Sequence, residues 1–421
     1  MLYTIPDYYK EFTCTADQCK DTCCAGWQIV IDRKSLKKYG KALKTLSLGK
    51  RDEASEKVDF AFALKMLKSI HWTQGTFCQD ANKRCAFLDQ DNLCDLYKHL
   101  GEKSLCKTCR LYPRHIEEFE GLREITLSIS CPEVARILME RKEPVTFLTY
   151  EKEGEEEFED FDPFLFSILE DARKSMISIL QNRSLTIRER ALLILGMAHD
   201  MQVRINRQEM FDCSSVIEKY EKESAIEWVR EYLGGRQEVL YTEEAHNKET
   251  VNEGTQNKRA QNEGTQNQKT QNQKVLNKDL FEKLYELELL REDWNKLLHD
   301  THRVLFAEGT EHYVKLCQEF SGWKQEHPDM DIHLEQLLVY FLFTYFPGAV
   351  YDGEVYAKVQ MSVYCVWMIE NLWMARWQQN DKALGFEEMT ELMYRFSREV
   401  EHSDTNLKQV EGWMEQKWFL K

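Results

Sequence analysis

The sequence predicts a mainly α protein in which a loop-rich, cysteine-bearing N-terminal part packs with α-helical domains. Three observations carry this. Ten of the thirteen cysteines lie in the first 131 residues. From residue 164 onward, apolar residues recur at the three-to-four spacing of amphipathic helices. At 421 residues with 43% hydrophobic and 12% aromatic side chains, the chain has enough apolar surface for two or three packed domains.

Residues 1–145 form the cysteine-rich part. Its first group, Cys14, Cys19, Cys23 and Cys24, is spaced C-x4-C-x3-C-C. Its second group, Cys78, Cys85, Cys94, Cys106, Cys109 and Cys131, contains C-x6-C-x8-C-x11-C-x2-C. Between them, residues 32–67 are predicted to form one or two amphipathic helices, because Leu36, Tyr39, Leu43 and Leu46 share a helical face. Residues 78–113 are turn-rich with short apolar pieces such as Ala86-Phe87-Leu88, and the alternation in 126–130 predicts a short strand. The acidic run 151–162 reads as a solvated connection.

Residues 146–242 are predicted to be a helical domain. Phe164, Ile168, Ala172, Met176 and Ile179 line one face, and Thr186 with Glu189 forms a capping box that opens the next helix. Residues 243–277 are low in complexity: Asn252–Asn257 returns as Asn262–Asn267, with almost nothing apolar to bury, which predicts a disordered insertion. Residues 278–421 are predicted to be a second helical domain. Leu280, Leu284, Leu287 and Leu290 make a stripe that Trp294 and Leu297 extend, and Trp323, Tyr340, Phe341, Trp367, Trp373 and Trp377 read as its core.

A net charge of −16 argues against non-specific binding to nucleic acid or to an anionic membrane surface. The N-terminal residues show no basic-then-apolar secretory signal, and the most apolar stretch, Leu337 to Phe346, is too short for membrane insertion. These features predict a cytoplasmic protein and leave its oligomeric state open. In that compartment, clustered cysteines read as metal-binding or redox groups rather than disulfides. Ten thiols exceed the four ligands of one zinc ion or one iron–sulfur cluster. They suit two metal centres, one cluster with spectator thiols, or a structural zinc that staples the loops.

Cys85-Ala86-Phe87-Leu88, Cys94-Asp95-Leu96-Tyr97 and Cys109-Arg110-Leu111-Tyr112-Pro113, with Cys19, Cys23 and Cys24 upstream, resemble the zinc- or iron-chelating cysteine-rich family whose signature ends in Cys-Cys. The first element departs from that family's compact form, because x4 and x3 replace shorter gaps. Pro6-Asp7-Tyr8-Tyr9 leading to Cys14, Leu127 to Ala135, and Arg398 to Leu407 are similar to the flagellin lysine N-methylase family. That resemblance covers most of the chain outside the Gln/Asn-rich insertion. It implies methylation of flagellin lysines, S-adenosylmethionine as donor and an iron–sulfur cluster, of the 4Fe-4S type, with zinc as the alternative. Neither the C-x3-C-x2-C triad of radical S-adenosylmethionine enzymes nor a G-x-G-x-x-G turn is present.

Methylating a lysine requires its amine, with a pKa near ~10.4, to lose a proton through desolvation or a nearby base. Asp89, Asp95, Tyr97, Tyr112 and Glu133 are candidates to orient or deprotonate it. Arg110 and Arg114 are candidates to offset thiolate charge or hold the donor's carboxylate. His402 is a candidate base if its pKa is unperturbed, whereas Ser403 or Asp404 beside it reads as a helix N-cap. The competing readings are a non-catalytic zinc- or iron-binding adaptor and a redox iron–sulfur protein.

Overall fold

Leu2-Tyr3-Thr4-Ile5 mixes β-branched and aromatic side chains, and the chain begins with a strand that sequence periodicity alone does not announce. In the computed structural model, which describes residues 1–47, 60–154, 158–234 and 277–415, β1 (Leu2–Pro6) is central in a four-stranded sheet. Counting the short hairpin β2 (Ile70–His71) and β3 (Thr76–Phe77), the other sheet strands are β4 (Arg114–Phe119), β5 (Leu122–Leu127) and β6 (Phe147–Glu151). The order is β4-β5-β1-β6, with β1 parallel to β5 and antiparallel to β6. Phe119 pairs with Leu122, so Glu120 and Gly121 alone turn the β4–β5 hairpin, and Gly121 supplies the positive φ of 70° that a two-residue turn needs.

The strand expected at 126–130 begins earlier and ends at Leu127. Ser128 leaves the ladder to donate to Pro113 O at 2.7 Å, and Cys131 N donates back to Ser128 O at 3.2 Å. Pro132 then opens a helix over Pro132–Glu140, its missing N–H costing nothing at that position.

Two apolar cores result. The small one gathers Ile29, Ile31, Tyr39, Phe77, Phe87 and Leu96 around cysteines of residues 24–109. The predicted helices between the cysteine groups are Arg33–Ser47 and Phe60–Lys68. Residues 48–59 lie outside the described residues.

The large core runs from Tyr8 to Met414. Its axis is the helix Val355–Gln379, which is buried on nearly every side, as an apolar pattern without a polar face requires. Around it pack Ile187–Asn206, Glu292–Phe306, Asp329–Tyr345, Phe386–Glu401 and Asp404–Met414, and Pro163–Leu180 packs on Ile187–Asn206 and Asp329–Tyr345. The capping box at Thr186 and Glu189 forms as expected, and Ser403 caps the last of these helices by accepting from Asn406 N at 3.2 Å. Phe164 is exposed instead of leading its helix face, because Leu165 and Leu169 take the core positions. The leucine stripe from 280 to 290 is buried, but not as one helix: a short 3-10 turn at Lys283–Glu286 ends in extended backbone at Leu287. The predicted disordered insertion at 243–277 lies, Asn277 apart, outside the described residues. Among the described residues no helix is long and apolar enough to cross a membrane. The protein is mainly α-helical, with one small sheet joining the cysteine-rich segment to the helices.

Candidate functional site

The loop from Cys19 to Trp27 is fixed by its own turn bonds. Cys19 Sγ donates to Asp21 O at 3.1 Å, Cys24 N donates to Thr22 Oγ1 at 3.1 Å, and Trp27 Nε1 donates to Cys23 O at 2.8 Å. Two backbone bonds stitch it to the second cysteine group: Cys85 N to Cys24 O at 2.7 Å and Gly26 N to Lys83 O at 3.1 Å. Distant sequence groups thus become neighbours.

Cys24, Cys85, Cys94, Cys106 and Cys109 meet in the small core. Burial pushes the Cys85 thiol up to about 12 and the Cys94 thiol up to about 11. Neighbouring Cys23 lowers Cys24 to about 7, with Thr22 and Arg84 assisting, while Cys23 itself is raised. Cys106 and Cys109 act on one another likewise, so that Cys106 is lowered and Cys109 raised. Cys131 lies in the large core, where burial raises it to about 11. Cys14 is exposed. Cys78 stands apart from the other thiols, with its Sγ donating to Lys68 O at 3.3 Å.

All thirteen cysteines are free thiols. Buried, reduced sulfurs lying beside one another fit a thiolate-bound metal in kind. Their positions are less closed than their chemistry: among the described residues no three Cys, His, Asp or Glu side chains are gathered so that they could hold one metal ion.

A second constellation joins this loop to the helical domain. Arg398, 3% exposed, donates through Nε to Ser130 O at 2.8 Å and through Nη2 to Asp21 O at 2.7 Å, and pairs with Asp21 Oδ2 at 2.7 Å. One turn on, His402 Nε2 lies 2.8 Å from Ser130 Oγ, which is also 3.2 Å from the Tyr112 hydroxyl and 2.7 Å from Ser128 Oγ. The His402 ring sits 4.8 Å from the Trp27 ring and 5.5 Å from the Tyr112 ring. Trp27, Tyr112 and His402 are half-buried, so this aromatic corner opens outward above a buried floor of Ser130 and Arg398. Behind it Glu401 accepts from Tyr340, Tyr345 and Ser397 at 2.6, 2.8 and 2.6 Å, and burial raises its carboxyl pKa.

The structure therefore brings Tyr112 and His402 together and separates them from the arginines named with them. Arg110 is exposed and has no ion-pair partner among the described residues. Arg114 donates to the Tyr9 hydroxyl at 2.9 Å and lies over the Tyr9 and Phe12 rings, an anchor for the N-terminal segment. Asp89 pairs with Lys98, Asp95 with Lys65 and Glu133 with Arg136, while Tyr97 is exposed. His402 is not the near-neutral base its residue type suggests: burial, helped by Arg398, lowers it to about 3, so it is uncharged at neutral pH. Sequence reasoning passed over Asp21, Trp27, Ser130, Arg398 and Glu401. Ser130, Arg398 and Glu401 lie in the 127–135 and 398–407 elements already quoted, which was the available signal.

Residues 173–420 match the family model described as the FliB lysine N-methylase C-terminal domain. The chain is 36% identical over 138 residues to a Lysine-N-methylase of Salmonella choleraesuis, covering 32% of each protein. It is 35% identical over 138 residues to a Lysine-N-methylase of Salmonella typhimurium, again covering 32% of each. Against the Flagellar biosynthetic protein FliU of Salmonella muenchen it is 35% identical over 138 residues, which is 32% of this chain and 76% of that protein. The chain thus spans about a third of the length of the two methylases it matches. No solved structure matches it.

Proposed function

Because the chain belongs to the FliB lysine N-methylase family, we propose that it is a lysine N-methyltransferase. Its substrate on this reading is flagellin, its methyl donor S-adenosylmethionine, and its workplace the cytoplasm, where cysteines stay reduced. The family match over 173–420 carries the proposal. The junction of Trp27, Tyr112, Ser130, Arg398 and His402 supports it as the place of reaction, because that match contributes two of its residues and the cysteine-rich segment the rest.

An incoming lysine arrives as an ammonium. Burial against Trp27 and Tyr112, and repulsion from the Arg398 guanidinium, both favour release of its proton to solvent. His402, held uncharged, adds no further positive charge and orients Ser130, while the Tyr112 phenol, its pKa raised by burial, stays protonated and can donate. The thiols of the neighbouring loop would hold an iron–sulfur cluster, which when bound supplies an iron position for the donor's amino and carboxylate groups.

The test is transfer of an isotope-labelled methyl group from S-adenosylmethionine to flagellin by anaerobically purified protein, with modified lysines located by mass spectrometry. Labelled flagellin lysines are expected. A protein that binds the donor and flagellin without labelling either flagellin or another protein would overturn the reading. His402→Gln is expected to reduce the rate while leaving its pH profile unchanged, since His402 does not titrate there; a lost acidic limb would make it the base after all.

A further inference from the structure

Two helices of the helical domain leave a gap between them. Thr310–Gln325 lines it with Tyr313, Cys317, Phe320 and Lys324, and Val355–Gln379 with Trp367, Glu370, Asn371 and Met374. Intervals of three and four residues put each set on one helix face. The cavity has a volume of about 270 Å³, and Arg188, from the first turn of Ile187–Asn206, and Asn277 line it too. At ~30 Å³ for each water-sized atom, it holds roughly nine non-hydrogen atoms. It shares no residue with the junction of Trp27, Tyr112, Ser130, Arg398 and His402. Most of its polar groups answer one another. Lys324 pairs with Glu370. The Tyr313 hydroxyl donates to Asn371 Oδ1 at 3.0 Å, and Asn371 Nδ2 donates to Trp367 O at 2.9 Å. Two groups are left over. Arg188, half-buried, has neither a hydrogen bond nor an ion pair among the described residues. Asn277 is 4% exposed, yet its Oδ1 has no partner. An unmet buried acceptor is costly to keep, so its missing donor points to a molecule other than the protein.

We propose that this cavity binds an α-amino-acid head group, its carboxylate on Arg188 and its ammonium on Asn277 Oδ1, with an apolar side chain against Phe320, Trp367 and Met374. The guanidinium fork takes a carboxylate in two parallel hydrogen bonds. A simple carboxylic acid would leave Asn277 unmet, and a simple amine would leave Arg188 unmet. A phosphate fits less well, because the second cation, Lys324, is already neutralised by Glu370. Phe320, Trp367 and Met374 are each less than a tenth exposed, which favours an apolar side chain over a charged one. The volume suits a molecule of the size of methionine or leucine. The same head group ends S-adenosylmethionine. The occupant is therefore either a free apolar amino acid or that end of the methyl donor; the second source rests on the methylase reading and the first does not.

The test is calorimetric titration of the anaerobically purified full-length protein with L-methionine, L-leucine, S-adenosylmethionine and methioninol, which lacks the carboxylate. With free amino acids as the source, methionine and leucine bind one to one, and methioninol binds at least about tenfold more weakly, the worth of a hydrogen bond to a charged group. With the donor as the source, only S-adenosylmethionine binds, and its head group belongs to the helical domain. In either case Arg188→Gln weakens binding about tenfold or more, and Asn277→Leu weakens it as well. Should Asn277→Leu fail to fold, Arg188→Gln, which breaks no bond among the described residues, still decides. Methioninol binding as tightly as methionine overturns the proposal. So does a protein that takes up neither free amino acid and binds S-adenosylmethionine equally well with and without Arg188. Methyl transfer is assayed separately on the wild type. Amino-acid binding without activity keeps the cavity and sinks the methylase reading, and activity without binding at the cavity does the reverse.

Discussion

Replacing Arg398 by glutamine should loosen the cysteine loop from the helical domain. The wild-type side chain is 3% exposed and satisfies two backbone carbonyls, Ser130 O and Asp21 O, as well as the Asp21 carboxylate. Breaking a buried ion pair costs roughly 3–5 kcal/mol, because the remaining charge and acceptors stay desolvated. Asp21 keeps a second partner, Arg291 at 2.7 Å, so the lower end applies, about 3 kcal/mol. If that loss falls on local opening of the junction, the open population rises about 100-fold, since each ~1.4 kcal/mol is tenfold. Hydrogen exchange read by mass spectrometry measures this directly. Peptides covering residues 19–27 and 128–135 should exchange about 100-fold faster, by the same conversion. Peptides from the helix Ile187–Asn206 should be unchanged, since they share no partner with Arg398. Arg398→Lys should fall between, because a point charge cannot reproduce the fork that reaches both carbonyls. Junction peptides that exchange at the wild-type rate in Arg398→Gln would refute the reasoning.

Three further outcomes follow from buried charges. Burial raises the Glu399 carboxyl from 4.5 to about 7, Asp293 adds to the rise, and its Oε1 has no partner among the described residues. Between those values the folded chain keeps a proton that the unfolded chain releases, so its contribution to stability falls as pH rises. Glu399→Gln should therefore gain on the wild type between pH ~5 and ~8, and a thermal-midpoint difference that does not grow with pH contradicts this. Burial lowers His402 to about 3 and His333 to about 4 from 6.5, with Arg398 and Lys142 respectively assisting. Over that window the unfolded chain binds protons the folded chain refuses, so stability is lost as pH drops below about 6.5. His402→Gln should flatten that acid slope, and an unchanged slope counts against a buried neutral ring. Glu335, 0% exposed, accepts from Arg190 at 2.8 Å and Arg183 at 2.9 Å. Glu335→Ala strands the buried Arg190 and should cost about 3–5 kcal/mol, read as a lower thermal midpoint; a midpoint within a degree of the wild type argues against it.

The sequence alone determined what is periodic or chemically distinctive in this protein. Helical spacing announced the large α domains, the Thr186 and Glu189 pattern announced a helix start, and the aromatic residues of 340–377 announced a core. Each is local: a helix's face and cap are written within a few residues of one another. Clustered cysteines likewise announced their reduced-thiol chemistry from composition and spacing. Only the tertiary structure decided which distant residues meet. The sheet escaped notice because β1 pairs with partners more than a hundred residues away, in a register no local pattern encodes. His402 was legible as a residue but not as an uncharged one, since its state depends on burial and on Arg398. Arg110 and Arg114, close to the cysteines in sequence, point to solvent and to Tyr9, whereas Arg398, more than 370 residues from Asp21, holds the loop. Residue chemistry is a property of composition, but a site is a property of proximity, and proximity here is set by two cores packed against one sheet and one helix end.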